Sequence, residues 1–377
     1  NATSSSNPTK STGADQKNIT KNTTSHTGLK KKSSSADHEN IATNETSSSN
    51  PTKSIGADQK NITKNTTSLH ISLKKKRSSA DHENTATLCL VVKDPEKRYI
   101  DEWADYHFAL GFTGLHLFDN SESFSMRNWG EGKSYAGQIK RAHYLPNQTH
   151  VLEKQTTAIQ SYAYMECVRE AVARNVSWVA AIDLDEFLVL HTNHTRITDF
   201  MNSFCPISSS CGQLSFNWVP FGDKNRTRFI DAPVAKRFMF HGAPETWVKA
   251  IANPNAVDAD SNKAWLHTFP LKPGWKWLDT SGQSIYTRNE RWKFMHNFKK
   301  HVDVAALYHF STLSEEERKA KRCERGDVNN FPPPDWCTNS SISMPQFTGL
   351  SYDDSLWKKM TTLLPTYQKY DNASDLG

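Results

Sequence analysis

The chain has 377 residues, 36% of them hydrophobic, and a net charge of +6 from 46 Lys and Arg against 40 Asp and Glu. No run approaches the roughly 20 apolar residues that cross a bilayer. The charge is not spread evenly: residues 1–87 hold 13 basic and 7 acidic residues, which accounts for the whole +6, and the remaining 33 basic and 33 acidic residues cancel. The basic excess thus belongs to residues 1–87 and not to the folded part, and no nucleic-acid partner is expected.

Residues 1–87 contain no Phe, Trp or Tyr and are dominated by Ser, Thr, Asn and Lys. Such a segment cannot bury enough apolar surface to offset the ordering of the chain, and it reads as disordered. It is also duplicated. Asn7-Pro8-Thr9-Lys10-Ser11 returns as Asn50-Pro51-Thr52-Lys53-Ser54, and the run 13–20 returns as 56–63. Neither copy carries a hydrophobic face to stack, so the repeat makes a spacer and not a solenoid. The basic clusters at 30–32 and 74–77 fit a nuclear-localisation signal, but the glycosylation acceptors argue for another compartment. Asn-x-Ser/Thr occurs at Asn1, Asn18, Asn22, Asn44, Asn61 and Asn65, then at Asn147, Asn175, Asn193, Asn225, Asn339 and Asn372. That density suits the lumen of the Golgi or secretory pathway, with 1–87 as a glycosylated stem and a signal peptide or type II membrane anchor expected ahead of Asn1.

Beyond residue 88 lie all eleven Trp residues, and 88–377 is long enough for one large core. Residues 88–92 form a short apolar run, as in a strand covered on both faces. Ile100, Trp103, Ala104, His107 and Leu110 then recur at helical spacing, with Gly111 as the cap. A second strand over 114–118 ends in Asp119-Asn120. Tyr164, Val168, Ala171 and Val172 mark a helix leading into a strand over 178–182. This rhythm predicts an α/β fold, a mostly parallel sheet with flanking helices and right-handed crossovers. Past residue 200 the texture predicts mixed strands and long loops. Cys205 with Cys211 and Cys323 with Cys337 bracket short polar loops and read as local disulfides. Cys89 and Cys167 read as free buried thiols.

Asp183-Leu184-Asp185-Glu186-Phe187 follows the 178–182 strand directly. Residues two apart on a strand share one side, and in an open α/β sheet the carboxyl ends of strands face the ligand crevice. Two carboxylates there suit Mn²⁺ or Mg²⁺ holding a diphosphate, as in enzymes that split nucleotide-sugars. Asp185 is the expected direct metal ligand and Asp183 a metal or ribose contact, with Glu186 turned to the other face.

Several stretches taken together resemble glycosyltransferase family 92 and its family 2-like relatives, which share the GT-A fold. They are Val91-Val92-Lys93-Asp94 with Tyr99-Ile100-Asp101-Glu102-Trp103 and Tyr106-His107, then Gly111 to Asp119-Asn120, and Trp178 to Leu188. Asn217-Trp218-Val219-Pro220-Phe221-Gly222 follows, then Lys249 to Pro254 ahead of His267, and Tyr308-His309-Phe310-Ser311 with Lys321 and Arg325-Gly326. The likeness covers about residues 88–330. It departs at Asp94-Pro95, where the family has Asn-Glu. The resemblance implies a GT-A Rossmann-like domain and a metal-dependent transfer, inverting at the anomeric carbon. The sugar, galactose as first choice, moves from a UDP-sugar to a glycan or glycoprotein acceptor. An inverting enzyme needs a carboxylate base, and Glu245 is the candidate, with Asp223 and Asp231 as rivals. Asp119 and Lys249 join Asp183 on the donor, and Trp218 offers a face to the acceptor. His309 is expected to complete the metal site with Asp183 and Asp185, which requires it within about 10 Å of the Asp185 carboxylate. The alternative is a lectin-like module that binds a glycan or Ca²⁺ without turnover.

Overall fold

The computed structural model describes residues 84–95, 97–145, 159–222, 226–261, 266–285, 295–329, 332–339, 341–343 and 351–371. The stem expectation falls, through residue 83, outside the described residues, as does Asp223. Strand β1 (Ala86–Val92) starts two residues before the boundary read from composition, and all seven of its residues are buried. None of the described helices is long and apolar enough to cross a membrane.

The first half of the domain is a parallel α/β unit. β1 is followed by helix α1 (Lys97–Ala109), β2 (Gly114–Asp119), β3 (Ile139–His143), helix α2 (Ile159–Ala173) and β4 (Trp178–Ala181). β1 pairs in parallel with β2 on one side and β4 on the other, and β2 pairs with β3, so the order across the sheet is β3-β2-β1-β4. The chain reverses its direction of travel across the sheet beside β1. That leaves a crevice between the carboxyl ends of β1 and β4, where such folds bind their ligands.

The expected parallel character holds for these four strands and gives way to a mixed sheet beyond them. After β4 come β5 (Glu186–Leu190), helix α3 (Ile197–Phe204), β6 (Cys211–Gly222), helix α4 (Val234–Arg237), β7 (Phe240–His241), β8 (Val248–Ala252), β9 (Lys276–Asp279) and β10 (Ala305–Thr312). Helices α5 (Glu315–Lys319) and α6 (Asp335–Thr338), strand β11 (Ser351–Tyr352) and helix α7 (Ser355–Leu363) close the chain. β8 runs antiparallel to both β4 and β6. The twelve-residue β6 serves two neighbourhoods. Its residues 213–217 pair with β8, and its residues 218–220 pair with β10. β10 in turn lies antiparallel to β5, with His309 opposite Glu186. Residues 183–185 therefore carry the chain from the parallel sheet to the β5–β10 ladder, and β6 bridges the same two regions at Asn217-Trp218.

α1 forms because Ile100, Trp103, Ala104 and His107 repeat at helical spacing toward the core. It stops at Gly111, whose φ of +97° only glycine adopts cheaply. Its buried aromatics seal the second edge of β5. Trp103 Nε1 donates to Glu186 O (2.9 Å) and Tyr106 Oη to Leu188 O (2.7 Å). His107 donates through Nδ1 to Trp103 O (2.8 Å), and burial pushes its pKa down to about 3, so it stays neutral and structural as expected.

The reading of Cys89 and Cys167 as free thiols is corrected: they form a disulfide that ties β1 to α2 across a separation of 78 residues. The two elements pack face to face, which spacing along the chain did not reveal. A loop of that length restrains the unfolded chain by about 4 kcal/mol. Cys205–Cys211 and Cys323–Cys337 are disulfides as expected. On α2, Tyr164, Val168 and Ala171 are buried, but Val172 is 43% exposed and falls off the predicted face.

Glu102, on α1, is 5% exposed and accepts from Val234 N (2.8 Å) and Ala235 N (3.2 Å) at the start of α4. Burial outweighs these bonds and raises its pKa from 4.5 to about 7. An acid whose folded pKa is raised holds its proton in the native state between pH 4.5 and 7 while the unfolded chain has lost it. Stability from this group therefore falls as pH rises through that window. We predict that Glu102→Gln, measured by urea denaturation, gains on the wild type by roughly 1–3 kcal/mol between pH 5 and pH 8. A pH-independent difference would contradict the assignment.

Candidate active site

A cavity of about 870 Å³ opens at the carboxyl ends of β1 and β4. Lys93 and Asp94 line it from the end of β1, and Asp183 and Asp185 from the end of β4. Trp218 and His309 face it from β6 and β10, and Lys249 and His267 close the floor. Asp94 sits at φ +40° ahead of Pro95, a backbone state that a residue before proline rarely takes, and Ser121 Oγ braces its N–H (2.7 Å).

Asp183 is held by three side chains. Its Oδ1 accepts from Gln160 Nε2 (2.9 Å) and Tyr164 Oη (2.8 Å), and its Oδ2 from Lys249 Nζ (2.9 Å). Gln160 and Tyr164 stand one turn apart on α2 and reach the strand end together. Lys249 is only 2% exposed and lies 3.9 Å from Glu186 as well. Burial would raise the Asp183 carboxyl and the nearby Asp185 adds to that, but Lys249 and the Tyr164 hydroxyl outweigh both and hold it below its ordinary value. Burial would likewise strip Lys249 of its proton, yet the Asp183 carboxylate beside it keeps its pKa above normal. Glu186 is driven well up by burial and so carries its proton, while its carboxyl accepts from Asp183 N (2.8 Å). It points away from the cavity, as expected. For Asp183, expected at the ribose or at the metal through water, the structure shows a carboxylate engaged by Gln160, Tyr164 and Lys249, which anchors the strand end.

Asp185 has different company. Its Oδ2 is ion-paired with Lys321 Nζ and lies 3.6 Å from His309 Nε2. Burial again pushes the carboxyl up, and Lys321 with His309 outweighs it, so the pKa is held well below the carboxylate range. His309 thus lies well inside the required distance. It sits within β10, not at a strand end, and the helix that follows is capped by Ser314.

Lys321 arrives by a built route that motif reading passed over. Ser314 and Glu317 form a capping box that starts α5. The helix then widens into a π-type turn at Ala320–Glu324, a distortion common at functional sites. The buried pair Arg237–Glu317 (2.9 Å) and the Cys323–Cys337 disulfide pin this strap at both ends. Lys321, Arg322 and Arg325 line the cavity from it, opposite Lys93 and Lys249. The signal available in the sequence was the closing Lys321 and Arg325-Gly326.

Two other expectations are corrected. Asp119 is fully buried and shapes the loop after β2, accepting from Ser121 N (2.9 Å) and Met126 N (2.7 Å), and it does not line the cavity. Glu245 is fixed by its backbone, its N–H on Trp218 O (2.8 Å) and its carbonyl on Asn217 Nδ2 (3.0 Å), and its carboxylate is not on the cavity wall. Of its rivals, Asp231 lines a separate cleft of about 350 Å³ beside Tyr367 and Tyr370. Trp218 does line the cavity, its ring 4.1 Å from that of His309.

A Rossmann-like half-sheet with an Asp-x-Asp segment opening onto a cavity lined by charges of both signs is the frame of the GT-A class. The chain belongs to glycosyltransferase family 92, whose sequence model matches residues 84–323. It is similar to a family 92 protein of Oryza sativa subsp. japonica, 22% identical over 251 residues, which are 66% of this chain and 41% of that protein. The chain thus spans less than half the length of that curated relative. Two solved structures are similar over part of it. One is HddC from Yersinia pseudotuberculosis, with 9% identity, 52% of this chain, 91% of that one and a TM-score of 0.28. The other is an active-site mutant of LgtC, with 11% identity, 60% of this chain, 87% of that one and a TM-score of 0.30.

Removing Lys249 leaves Asp183 facing Asp185 without its cation. We predict that Lys249→Met lowers unfolding free energy at pH 7 by about 3 kcal/mol, the scale of a broken buried pair. Because the folded pKa of Asp183 is depressed, the stability it supplies is present above the unfolded pKa and lost as pH falls. The deficit should therefore hold from pH 7 down to about pH 4 and shrink only below pH 3.8, and an equal deficit at pH 7 and well below pH 3.8 would refute the pairing.

Proposed function

We propose that this protein is a metal-dependent, inverting glycosyltransferase. It moves a sugar, galactose as first choice, from a UDP-sugar to a glycan or glycoprotein acceptor in the secretory lumen. The observation that carries the reading is the convergence of Asp185, His309 and Lys321 at the mouth of the β1/β4 crevice. Family membership supports a nucleotide-sugar donor, and galactose and inversion rest on the motif resemblance. The three disulfides and the exposed acceptors Asn175, Asn193 and Asn339 support the compartment.

Among the described residues, Asp185 and His309 are the pair that fits a divalent ion. Asp185 Oδ2 and His309 Nε2 lie 3.6 Å apart, a gap that two ligands about 2 Å from a shared ion can span. A carboxylate with an imidazole suits Mn²⁺, with Mg²⁺ the second choice. Among the described residues no group of three His, Cys, Asp or Glu converges, so diphosphate oxygens and water would complete the shell. A bound ion would neutralise the charge that builds on the leaving diphosphate.

The chain's own side chains do the rest. Lys321, Arg322 and Arg325 offer cations to the diphosphate from a wall that also carries Glu324 and Asp327. Lys321 is paired with Asp185 and Arg322 lies 3.7 Å from Asp327, so a bound diphosphate would take over those partners. Asp183, with Gln160, Tyr164 and Lys249, fixes the backbone that aims Asp185. His267 donates through Nδ1 to Val248 O (2.9 Å), leaving its other nitrogen to accept. Burial and Lys249 lower its pKa to about 3, so a neutral ring orients the acceptor hydroxyl beside Trp218.

A panel of UDP-sugars with Mn²⁺, scored for UDP release, tests the reading. One donor should stand out. Asp185→Ala and chelation should each lower its turnover roughly 10²-fold or more, with the thermal midpoint of the variant unchanged. Wild-type rates in chelator would remove the metal from the account. Saccharide binding with no UDP released from any donor would favour the lectin-like alternative.

A further inference from the structure

Asn329 meets the Asp-x-Asp segment through one intervening side chain. Gln160 N donates to Asn329 Oδ1 (3.0 Å), and Asn329 Nδ2 donates back to Gln160 Oε1 (2.8 Å). Gln160 Nε2 then donates to Asp183 Oδ1 (2.9 Å) and to Tyr164 Oη (3.2 Å). The polarity of this relay is forced at each step. A backbone N–H can only donate and an ionised carboxylate can only accept. Asn329 must therefore turn its oxygen to the Gln160 backbone, and Gln160 its nitrogen to Asp183. Gln160 is 7% exposed, so turning either amide would leave polar atoms unpaired away from water.

The relay fastens a part of the strap that lies beyond its other pins. Arg237–Glu317 and Cys323–Cys337 hold the strap as far as Cys323. Arg325, Gly326, Asp327 and Val328 also line the cavity, and they belong to no helix or strand. Gly326 turns there at φ +78°, and Asn329 N donates to Asp327 Oδ1 (2.7 Å). Asn329 follows directly and does not itself line the cavity. It acts on the cavity through the residues before it and through Gln160.

We propose that Asn329 is a positioning residue for the donor. It fastens the wall at 325–328 to the same amide that aims Asp183, so the strap and the Asp-x-Asp segment face one diphosphate at a fixed separation. Walls already fastened to each other spare the donor the ordering of the strap on binding. The inference rests on reading the cavity as the site of a nucleoside diphosphate.

The experiment compares the full-chain wild type with Asn329→Asp, Asn329→Leu, Gln160→Leu and the double variant Gln160→Leu with Asn329→Leu. Calorimetry with UDP and Mn²⁺ reads donor affinity, and steady-state rates with the best UDP-sugar separate donor KM from kcat. Trypsin cleavage after Lys321, Arg322 and Arg325, located by mass spectrometry, reads the strap without any ligand. Asn329→Asp keeps the side-chain volume but removes the donor to Gln160 Oε1, so it should behave as Asn329→Leu does. Both should raise the UDP Kd and the donor KM about tenfold, equivalent to ~1.4 kcal/mol, with kcat within about twofold of the wild type. Both should also speed strap cleavage about tenfold. The double variant should be no weaker than Gln160→Leu, because the two changes break one pair. Wild-type UDP affinity in Asn329→Asp, wild-type strap cleavage in Asn329→Leu, or additive effects in the double variant would overturn the assignment. So would a lower apparent kcat at unchanged KM, which is what a mere loss of folded protein gives. If UDP binds to none of the proteins, the wild type included, the donor reading fails and the donor role of Asn329 falls with it. Strap cleavage then still decides whether Asn329 holds the strap.

Discussion

Two carboxylates two residues apart, at the point where the chain leaves one sheet for another, are kept ionised by two different lysines. Lys249 is delivered by β8 from within the domain and neutralises Asp183, and Lys321 is delivered by the strap after α5 and neutralises Asp185. Neither acid could hold its charge there alone, since burial works against both. Much else in the domain serves this arrangement. The α2 face supplies Gln160 and Tyr164 to aim Asp183, and the Cys89–Cys167 bond fastens that helix to β1. α1 supplies the donors that seal β5, so Glu186 can start a strand without a second ladder partner.

The two acids consequently play different parts. Asp183 is wired into the core by a buried cation and two side-chain donors, and its work is positional. Asp185 is paired with a lysine at 19% side-chain exposure, on a strap that ends in a π-type turn. Under the proposed function such a pair is exchangeable: an incoming diphosphate and cation would take over both partners, with Lys321 moving from carboxylate to phosphate. His309 stands on the other side of the same oxygen, held by β10 and by contact with Trp218. Trp218 and His309 therefore face the cavity from one wall made of β6 and β10.

The parts of this that were legible in the sequence are local or carried by motif order. β1, β2 and β4 announced themselves as apolar runs, and α1 by its periodicity and its terminal glycine. Asp185 was singled out by a strand-end Asp-x-Asp that is weak alone, since such acids are often only solvated caps, and by the order of the motifs around it. His309 was placed near it by the order of the motifs. What stayed hidden depended on partners distant along the chain. Lys321 meets Asp185 across 136 residues and Cys89 meets Cys167 across 78, and no periodicity encodes either meeting. Asp119 and Glu245 misled for a shared reason. An acid after a strand can serve a ligand or fold its own turn, and only the hydrogen-bond partners distinguish the two. The double duty of β6 could not be read because a twelve-residue strand looks the same whether it serves one neighbourhood or two.

The central claim is that Asp185 and His309 form a two-donor cation site completed by the diphosphate. Calorimetric titration of UDP, with Mn²⁺ and with chelator, tests it most directly because it involves neither sugar nor acceptor. The account predicts that Mn²⁺ tightens UDP binding at least about tenfold, equivalent to ~1.4 kcal/mol, in the wild type. It predicts that Asp185→Asn and His309→Ala each abolish that gain while binding UDP in chelator as the wild type does. UDP affinity indifferent to Mn²⁺ in the wild type, or a full Mn²⁺ gain retained in both variants, would contradict it.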